Sequence, residues 1–296
     1  MNRRRIAIAV VVCVAALVAA ACGSAGPGPS PTPGGGGQQP PPVVNTAPQI
    51  KSITVSDTRV EAGTPVTLTA VVEDAETPVA NLQFRWSAET GTFSSNKAVV
   101  TWTPGTDAKT PADYVVTLTV VETFTSGSSV LENKATGTAT AHVNNSAKEL
   151  AELSVRFLTD FANSSVPPAK CVSEFSDSCR GKKDEFNDID DNRHDFLIVG
   201  ATIRHTSLNI ASSRTTATVH TFCSFTSRVI TTQPREEGCQ NGACPLNSEG
   251  TATGDCWTTN VYENGRWWLC ESHFTSKSSL SPMMRAFFGM RRVELP

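Results

Sequence analysis

The chain has 296 residues, 39% hydrophobic and 18% charged, with a formal net charge of −3. That length is enough for two domains, and the balance excludes both an acidic disordered chain and a polytopic membrane protein. The first 21 residues hold three arginines and no acid, so the remainder carries −6, a poor charge for gripping nucleic-acid phosphates.

Residues 1–21 read as a secretory signal peptide. Arg3, Arg4 and Arg5 form a basic start, and Ile6 to Ala19 is an uncharged apolar run of 14 residues. A membrane span needs about 20. Ala19-Ala20-Ala21 then precede Cys22. This resembles the lipobox of bacterial lipoproteins, in which the cysteine is lipidated and becomes the new N-terminus. Ala19 stands where that pattern favours Leu, and an ordinary signal peptide cut after Ala-x-Ala is the alternative. The resemblance implies a lipid anchor at Cys22 and a place in the cell envelope, facing periplasm or exterior. Gly23, where an Asp would imply retention at an inner membrane, implies the outer membrane in a host that has one. Residues 22–48 continue as a linker of Gly, Pro, Ser, Gln and Thr that can bury no apolar surface. Such a segment reaches roughly 30 Å as a coil and up to about 80 Å if extended.

Residues 49–144 show period-two alternation at Ile50–Val55, Val66–Val72, Leu82–Trp86, Val99–Thr103 and Tyr114–Val120. Turn residues at Gly63-Thr64-Pro65, Thr77-Pro78, Gly91 and Pro104-Gly105 separate the runs. About seven short strands with no helical period imply an all-β sandwich. Phe84-Arg85-Trp86-Ser87-Ala88 with Gly91-Thr92-Phe93, and Tyr114 to Val120, resemble the Trp-bearing and late strands of bacterial immunoglobulin-like domains related to the PKD family. The Asp-Phe-Gly-Asp-Gly signature of PKD repeats is absent, so the wider immunoglobulin-like group is the resemblance. No cysteine lies between residues 23 and 170, so the sandwich has no inter-sheet disulfide. Glu73, Asp74 and Glu76 cluster after one strand; a solvated turn is preferred to a calcium loop.

Residues 146–276 form a second, α+β domain. Ser146 and Glu149 have capping-box spacing, and Leu150, Leu153, Phe157 and Phe161 place a helix over 147–162. A polar helix covers Gly181–Asn192. Strands follow at Phe196–Gly200, Ser207–Ile210 and Thr215–Phe225, and Trp257–Tyr262 and Arg266–His273 form a hairpin on a type I′ Asn264-Gly265 turn. Lys182-Lys183-Asp184-Glu185-Phe186, and above all the hairpin from Trp257 to Leu269, resemble the NTF2-like superfamily. That resemblance implies a cone in which a curved antiparallel sheet wraps a helix, with a cystatin-like sheet as the near alternative.

The cysteines Cys171, Cys179, Cys223, Cys239, Cys244, Cys256 and Cys270 all lie here, and seven in an exported domain imply disulfides. Short loops make Cys171–Cys179 and Cys239–Cys244 the simplest pairs. In a regular hairpin Cys270 faces Thr259 and Cys256 faces His273, which puts Cys256 and Cys270 on opposite faces. Cys223 then takes one of them and one thiol stays over. A zinc site from Cys239, Cys244, Cys256, Cys270 and His273 is disfavoured in an oxidising compartment. Asp188, Asp190 and Asn192 fail the EF-hand pattern, which needs Gly at Arg193 and Glu at Val199.

Enzymes of the NTF2-like cone hold acid–base groups in its cavity, so Asp195, His220 and Tyr262 are the cavity candidates. No Gly-x-Ser-x-Gly, His-Glu-x-x-His or P-loop occurs. The tail, 277–296, carries Met283, Met284, Phe287 and Phe288 and is read as frayed, packed on its own domain, or a docking segment. The expected protein is a membrane-anchored, non-enzymatic binding or structural module. It uses no cofactor and no catalytic or metal residues, and its partner is an envelope protein or small ligand rather than nucleic acid. The alternative is an envelope isomerase or dehydratase using the cone cavity.

Overall fold

A computed structural model describes residues 45–236, 239, 242–276, 282–287 and 293–294. The expected signal peptide, Cys22 and most of the expected linker lie outside the described residues. The expected linker ends too late, however. Asn45 donates to the Glu122 carboxylate at 2.6 Å, Thr46 to Glu76 at 2.7 Å, and Pro48 is buried, so these residues belong to the folded body.

The N-terminal body holds β1 (Gln49–Val55), β2 (Arg59–Glu61), β3 (Val66–Glu73), β4 (Gln83–Ala88), β5 (Thr92–Phe93), β6 (Val99–Thr103), β7 (Ala112–Ser126) and β8 (Ser129–Asn144). They make two four-stranded sheets, ordered β1-β3-β6-β5 and β2-β8-β7-β4. One core lies between them, with Leu68, Trp102, Val116, Leu118 and Val120 fully buried. The apolar alternation of β3, β4, β6 and β7 is what closes the sheets on each other, since each strand has only one face to bury. Without a disulfide, Trp86 stacks on Phe93 and donates its indole N–H to the Lys97 carbonyl. The β7–β8 hairpin outruns the sheets, and at its end Val130 is 71% exposed.

The C-terminal body begins with α1 (Ser146–Ala162). Its N-cap is one residue earlier than the sequence spacing implies. Asn145 accepts from the Lys148 N–H, and Glu149 reaches back to the Asn145 N–H. This frees Ser146 to turn inward toward Glu61. Leu150, Leu153, Phe157 and Leu158 form the buried stripe. Short α2 (Pro168–Cys171) and polar α3 (Gly181–Asp195) follow. The sheet is ordered β13-β12-β11-β10-β9, from β9 (Phe196–Ile210), β10 (Thr216–Val229), β11 (Glu249–Glu263), β12 (Arg266–Ser276) and β13 (Val293–Glu294). Between β12 and β13 comes α4 (Pro282–Phe287). The chain is thus mostly sheet with a few helices, in two sheet-built halves.

Two sequence expectations change here. The segments 196–200 and 207–210 are one continuous strand, β9, with irregularities in its pairing to β10 that bend the sheet. The β11–β12 hairpin carries a bulge after Thr259. Cys270 has no partner, Thr259 faces Glu271, and Cys256 faces Phe274 rather than His273. Asn264 and Gly265 have φ of 52° and 81°, as a type I′ turn requires.

Candidate binding site

The inner face of the C-terminal sheet is set by the odd residues of β10 and the even residues of β11, which are buried in strict alternation. The stripe of α1 lies against this face. Where α3 meets β12, a pocket of about 110 Å³ remains. Phe157, Phe161, Ile189, Phe274 and Phe287 supply apolar walls, and Glu185, Asn192 and Ser272 line it with polar groups. Ser272 donates to Glu185 at 2.7 Å. Asp188, Glu236 and His273 line it as well, so aromatic rings face about as many polar and ionisable groups, a lining that suits an amphiphilic ligand.

The three cavity candidates all lie elsewhere. Asp195, fully buried, ends α3 and accepts from the N–H groups of Arg235 and Glu236, so it pins the loop after β10. His220 points to the outer face of the sheet, where its Nδ1 lies 2.6 Å from Asp255. It is in register with Trp257, which stacks at 4.0 Å on His273. The even position of His220 on β10 decides this, since the neighbours that face inward are Val219 and Thr221. Tyr262 sits where the two halves meet; burial pushes its phenol above the ordinary value.

That meeting place is a dense polar joint. The Arg59 guanidinium lies 3.5 Å over the Tyr262 ring and 5.0 Å from Trp267. It donates to Ser146 at 2.5 Å and to the Arg214 carbonyl. Burial lowers its pKa, against the pull of Glu61. Arg214 returns the contact, pairing with Asp57 at 2.6 Å and donating to the Arg59 carbonyl. Tyr262 donates to Asn144 at 2.6 Å, and the His142 ring spans Asp113 and the Gly265 carbonyl at 2.7 and 2.8 Å. Sequence reasoning had no signal for Arg59, which stands alone in a short exposed-looking strand. Nor did it single out Glu185 or Phe287 for the pocket.

The disulfides are Cys179–Cys270, Cys223–Cys256 and Cys239–Cys244. The short-loop pair Cys171–Cys179 is therefore corrected. Cys171 ends α2 pointing into the core, where it is a free thiol beside Arg193. Burial raises its pKa and the Arg193 charge opposes this. Cys179 instead lies beside the bulge that turns Cys270 off the ladder. Cys223 and Cys256 face inward, two residues out of register on neighbouring strands. With six cysteines so engaged, the zinc set is dismantled, and no cluster of three metal-ligating side chains occurs among the described residues. The acidic loop closes on itself and its neighbours. Asp74 accepts from the Glu76 and Thr77 N–H groups, and Glu76 from Thr46.

No protein-family model matches the chain, and no curated protein matches it. Among solved structures it is similar to the "Putative Scytalone Dehydratase" of Novosphingobium aromaticivorans, with 13% identity, 45% of this chain and 85% of that chain covered, and a TM-score of 0.33. It is also similar to the intermembrane-space region of the chloroplast protein ARC6, at 12% identity, 42% and 95% coverage and a TM-score of 0.30. A function-unknown protein from Mycobacterium tuberculosis gives 11% identity, 45% and 73% coverage and 0.30. Scores of that size decide nothing about the site.

Proposed function

We propose that this chain is a lipid-anchored protein of the bacterial cell envelope that presents a non-enzymatic binding module on a rigid spacer. Cys22 is the anchor, and the linker gives reach. The N-terminal body is the spacer, an immunoglobulin-like sandwich, and the C-terminal body is an NTF2-like cone that binds a partner or ligand.

The observation that carries this reading is the joint. Arg59 stacked on Tyr262 and doubly bonded across to Ser146 and Arg214 fixes the cone on the spacer as one body. Such an arrangement serves presentation at a distance. The immunoglobulin-like reading is supported by Tyr114, whose hydroxyl donates to the Lys109 carbonyl five residues upstream, as in a tyrosine corner. The cone reading is supported by a bent antiparallel sheet holding α1 on its inner face. Three disulfides in the C-terminal body suit an oxidising compartment outside the cytoplasm.

The anchor is tested by growth with an alkyne-tagged palmitate. The intact chain takes the label and fractionates with membranes, and Cys22→Ala loses the label and becomes soluble. An unlabelled intact chain, or a Cys22→Ala variant that stays on the membrane, overturns it.

A further inference from the structure

The apolar side chains of α4 are packed into their own domain, with Met283, Met284 and Phe287 all buried. Those at the end of the β7–β8 hairpin have no such cover. Val130 is 71% exposed and Leu131 44%, and Phe124, which faces Leu131 across the ladder, is half-buried. β4 pairs with β7 only as far as Val121, so among the described residues the hairpin beyond it is two strands paired only to each other. The turn closes at Gly127, with φ of 64°. From Thr123 to Leu131 the sequence carries no charge, and its other residues are Thr, Ser and Gly. Residues directly opposite each other share a face, so Phe124 and Leu131 point to one side and Val130 to the other. The tip is therefore apolar on both sides.

The tip stands at a particular end of the fold. The chain enters the N-terminal body at the base of the hairpin, where Asn45 and Asn133 both donate to Glu122. It leaves for the C-terminal body from the opposite end of β8, at Asn144. From Glu122 to the end of β7 at Ser126 the strand rises about 14 Å, so the tip stands that far beyond the entry point. Cys22 precedes Asn45 by 23 residues, so a bilayer holding that cysteine is within about 80 Å of this end. The end that an anchor draws to the membrane is thus the one that projects uncovered apolar side chains. Charge decides what kind of contact this is. The ionisable groups behind the tip are mostly acidic, Asp74, Glu76, Glu122 and Glu132, the last paired with Lys134 at 2.9 Å. An anionic headgroup does not attract such a set, which leaves burial of apolar area as the driving term. The outer hydrogen-bonding edges of the two strands meet no third strand, which bars entry into the hydrocarbon and stops the tip where headgroups meet acyl chains.

We propose that the β7–β8 tip is a membrane contact, with Phe124, Val130 and Leu131 seated at the headgroup–acyl boundary of the bilayer that carries the Cys22 lipid. Three side chains bind weakly by themselves, but a chain already held at the surface meets the bilayer at high effective concentration. The two contacts together stand the N-terminal body on the membrane and direct the cone away from it. This deepens the envelope reading and rests on it.

The test puts an environment-sensitive nitrobenzoxadiazole probe on Ser128→Cys, or on Thr202→Cys of β9 as a control, in the intact lipidated chain. Cys171 is buried and escapes labelling of the folded protein. The vesicles are phosphatidylcholine with nitroxide-bearing acyl chains. The probe at 128 shifts to the blue and is quenched, more by nitroxides near the headgroup than by those near the chain end, while the probe at 202 does not respond. Val130→Asp with Leu131→Asp returns the probe at 128 to water. Both side chains are exposed, so an unaltered unfolding midpoint shows the fold intact. In a Cys22→Ala background the tip still binds these vesicles weakly, and the same two changes raise the lipid needed for half-binding at least about tenfold. A lipidated chain whose probe at 128 stays in water overturns the tip contact and leaves the anchor standing. An intact chain that takes no lipid but whose tip binds vesicles overturns the anchor and supports the tip. A probe shielded in native membranes but not in protein-free vesicles reports a protein partner and overturns the lipid surface.

Discussion

The three disulfides should stabilise the C-terminal body unequally, in an order set by the loops they close. The loop-entropy relation gives about 4.6 kcal/mol for Cys179–Cys270, with its separation of 91 residues. It gives about 3.7 kcal/mol for Cys223–Cys256 at 33 residues and about 2.1 kcal/mol for Cys239–Cys244 at 5. Cys223, Cys256, Cys239 and Cys244 all pack in the core, so removing either of those pairs adds a loss of burial to the loop term, whereas Cys179 and Cys270 lie outside that cluster. On the loop term alone, Cys179→Ala with Cys270→Ala should cost about 2.5 kcal/mol more than Cys239→Ala with Cys244→Ala, a gap that the burial lost at Cys239 and Cys244 narrows. Urea unfolding followed by tryptophan fluorescence reads this directly, with the slope checked to be unchanged. A Cys179/Cys270 double variant as stable as the unaltered protein would refute the pairing. So would a tryptic fragment linking Cys171 to Cys179, since that 8-residue loop has a different product.

Other expectations follow from the joint and the core. Arg59→Ala removes a cation over two rings and one of the two arginines beside Glu61, so it should cost about 2–4 kcal/mol and split thermal unfolding into two transitions by calorimetry; a single unshifted transition refutes the coupling. Tyr262→Phe deletes one bond to Asn144 and should cost about 1 kcal/mol in the same assay. Burial alone would raise the Asp57 carboxyl, but the Arg59 N–H and the Arg214 side chain hold it below its ordinary 3.8. A depressed carboxylate stabilises above its unfolded value and loses that contribution as pH falls through the folded one. The Asp57–Arg214 contact should thus persist from neutral pH to about 4 and fade below. It is part-exposed, so it is worth only about 0.2–1 kcal/mol; an Asp57→Asn variant with the wild-type acid profile refutes it. Among the seven cysteines of the C-terminal body, only Cys171 should be alkylated under denaturing, non-reducing conditions, as peptide mapping shows.

Much of the secondary structure was legible because burial and period coincide. α1 has a continuous apolar stripe that stops before Pro167-Pro168, α3 ends at the period change at Phe196, and Asn264-Gly265 demands its turn. β8 was not legible, since Ala-Thr-Gly-Thr-Ala-Thr-Ala offers little contrast between faces, and its pairing with β7 supplies what its own side chains do not. Of the cysteine pairs, Cys239–Cys244 forms as its short loop implies and Cys223 takes Cys256, whereas Cys171–Cys179 does not form, because loop length is a weak guide when one bulge at Cys270 re-aims a side chain. The site escaped for a related reason. His220, Asp195 and Tyr262 were singled out by chemistry, whereas position on a strand face, a helix end and a body-to-body contact decides what each one does. Arg59 matters through tertiary partners more than a hundred residues away, Arg214 and Tyr262, and nothing local announces them.

The path of the chain through the N-terminal body has a mechanical meaning. Asn45 and Asn133 share one oxygen of Glu122, and the chain leaves at Asn144, eleven residues further along β8 and about 36 Å away. A pull between those two points runs along β8 rather than across it. The β7–β8 ladder and the parallel pairing of Arg59–Glu61 with His142–Asn144 then resist in shear, with many hydrogen bonds loaded at once instead of being unzipped in turn. Under tension this half of the protein is a strut.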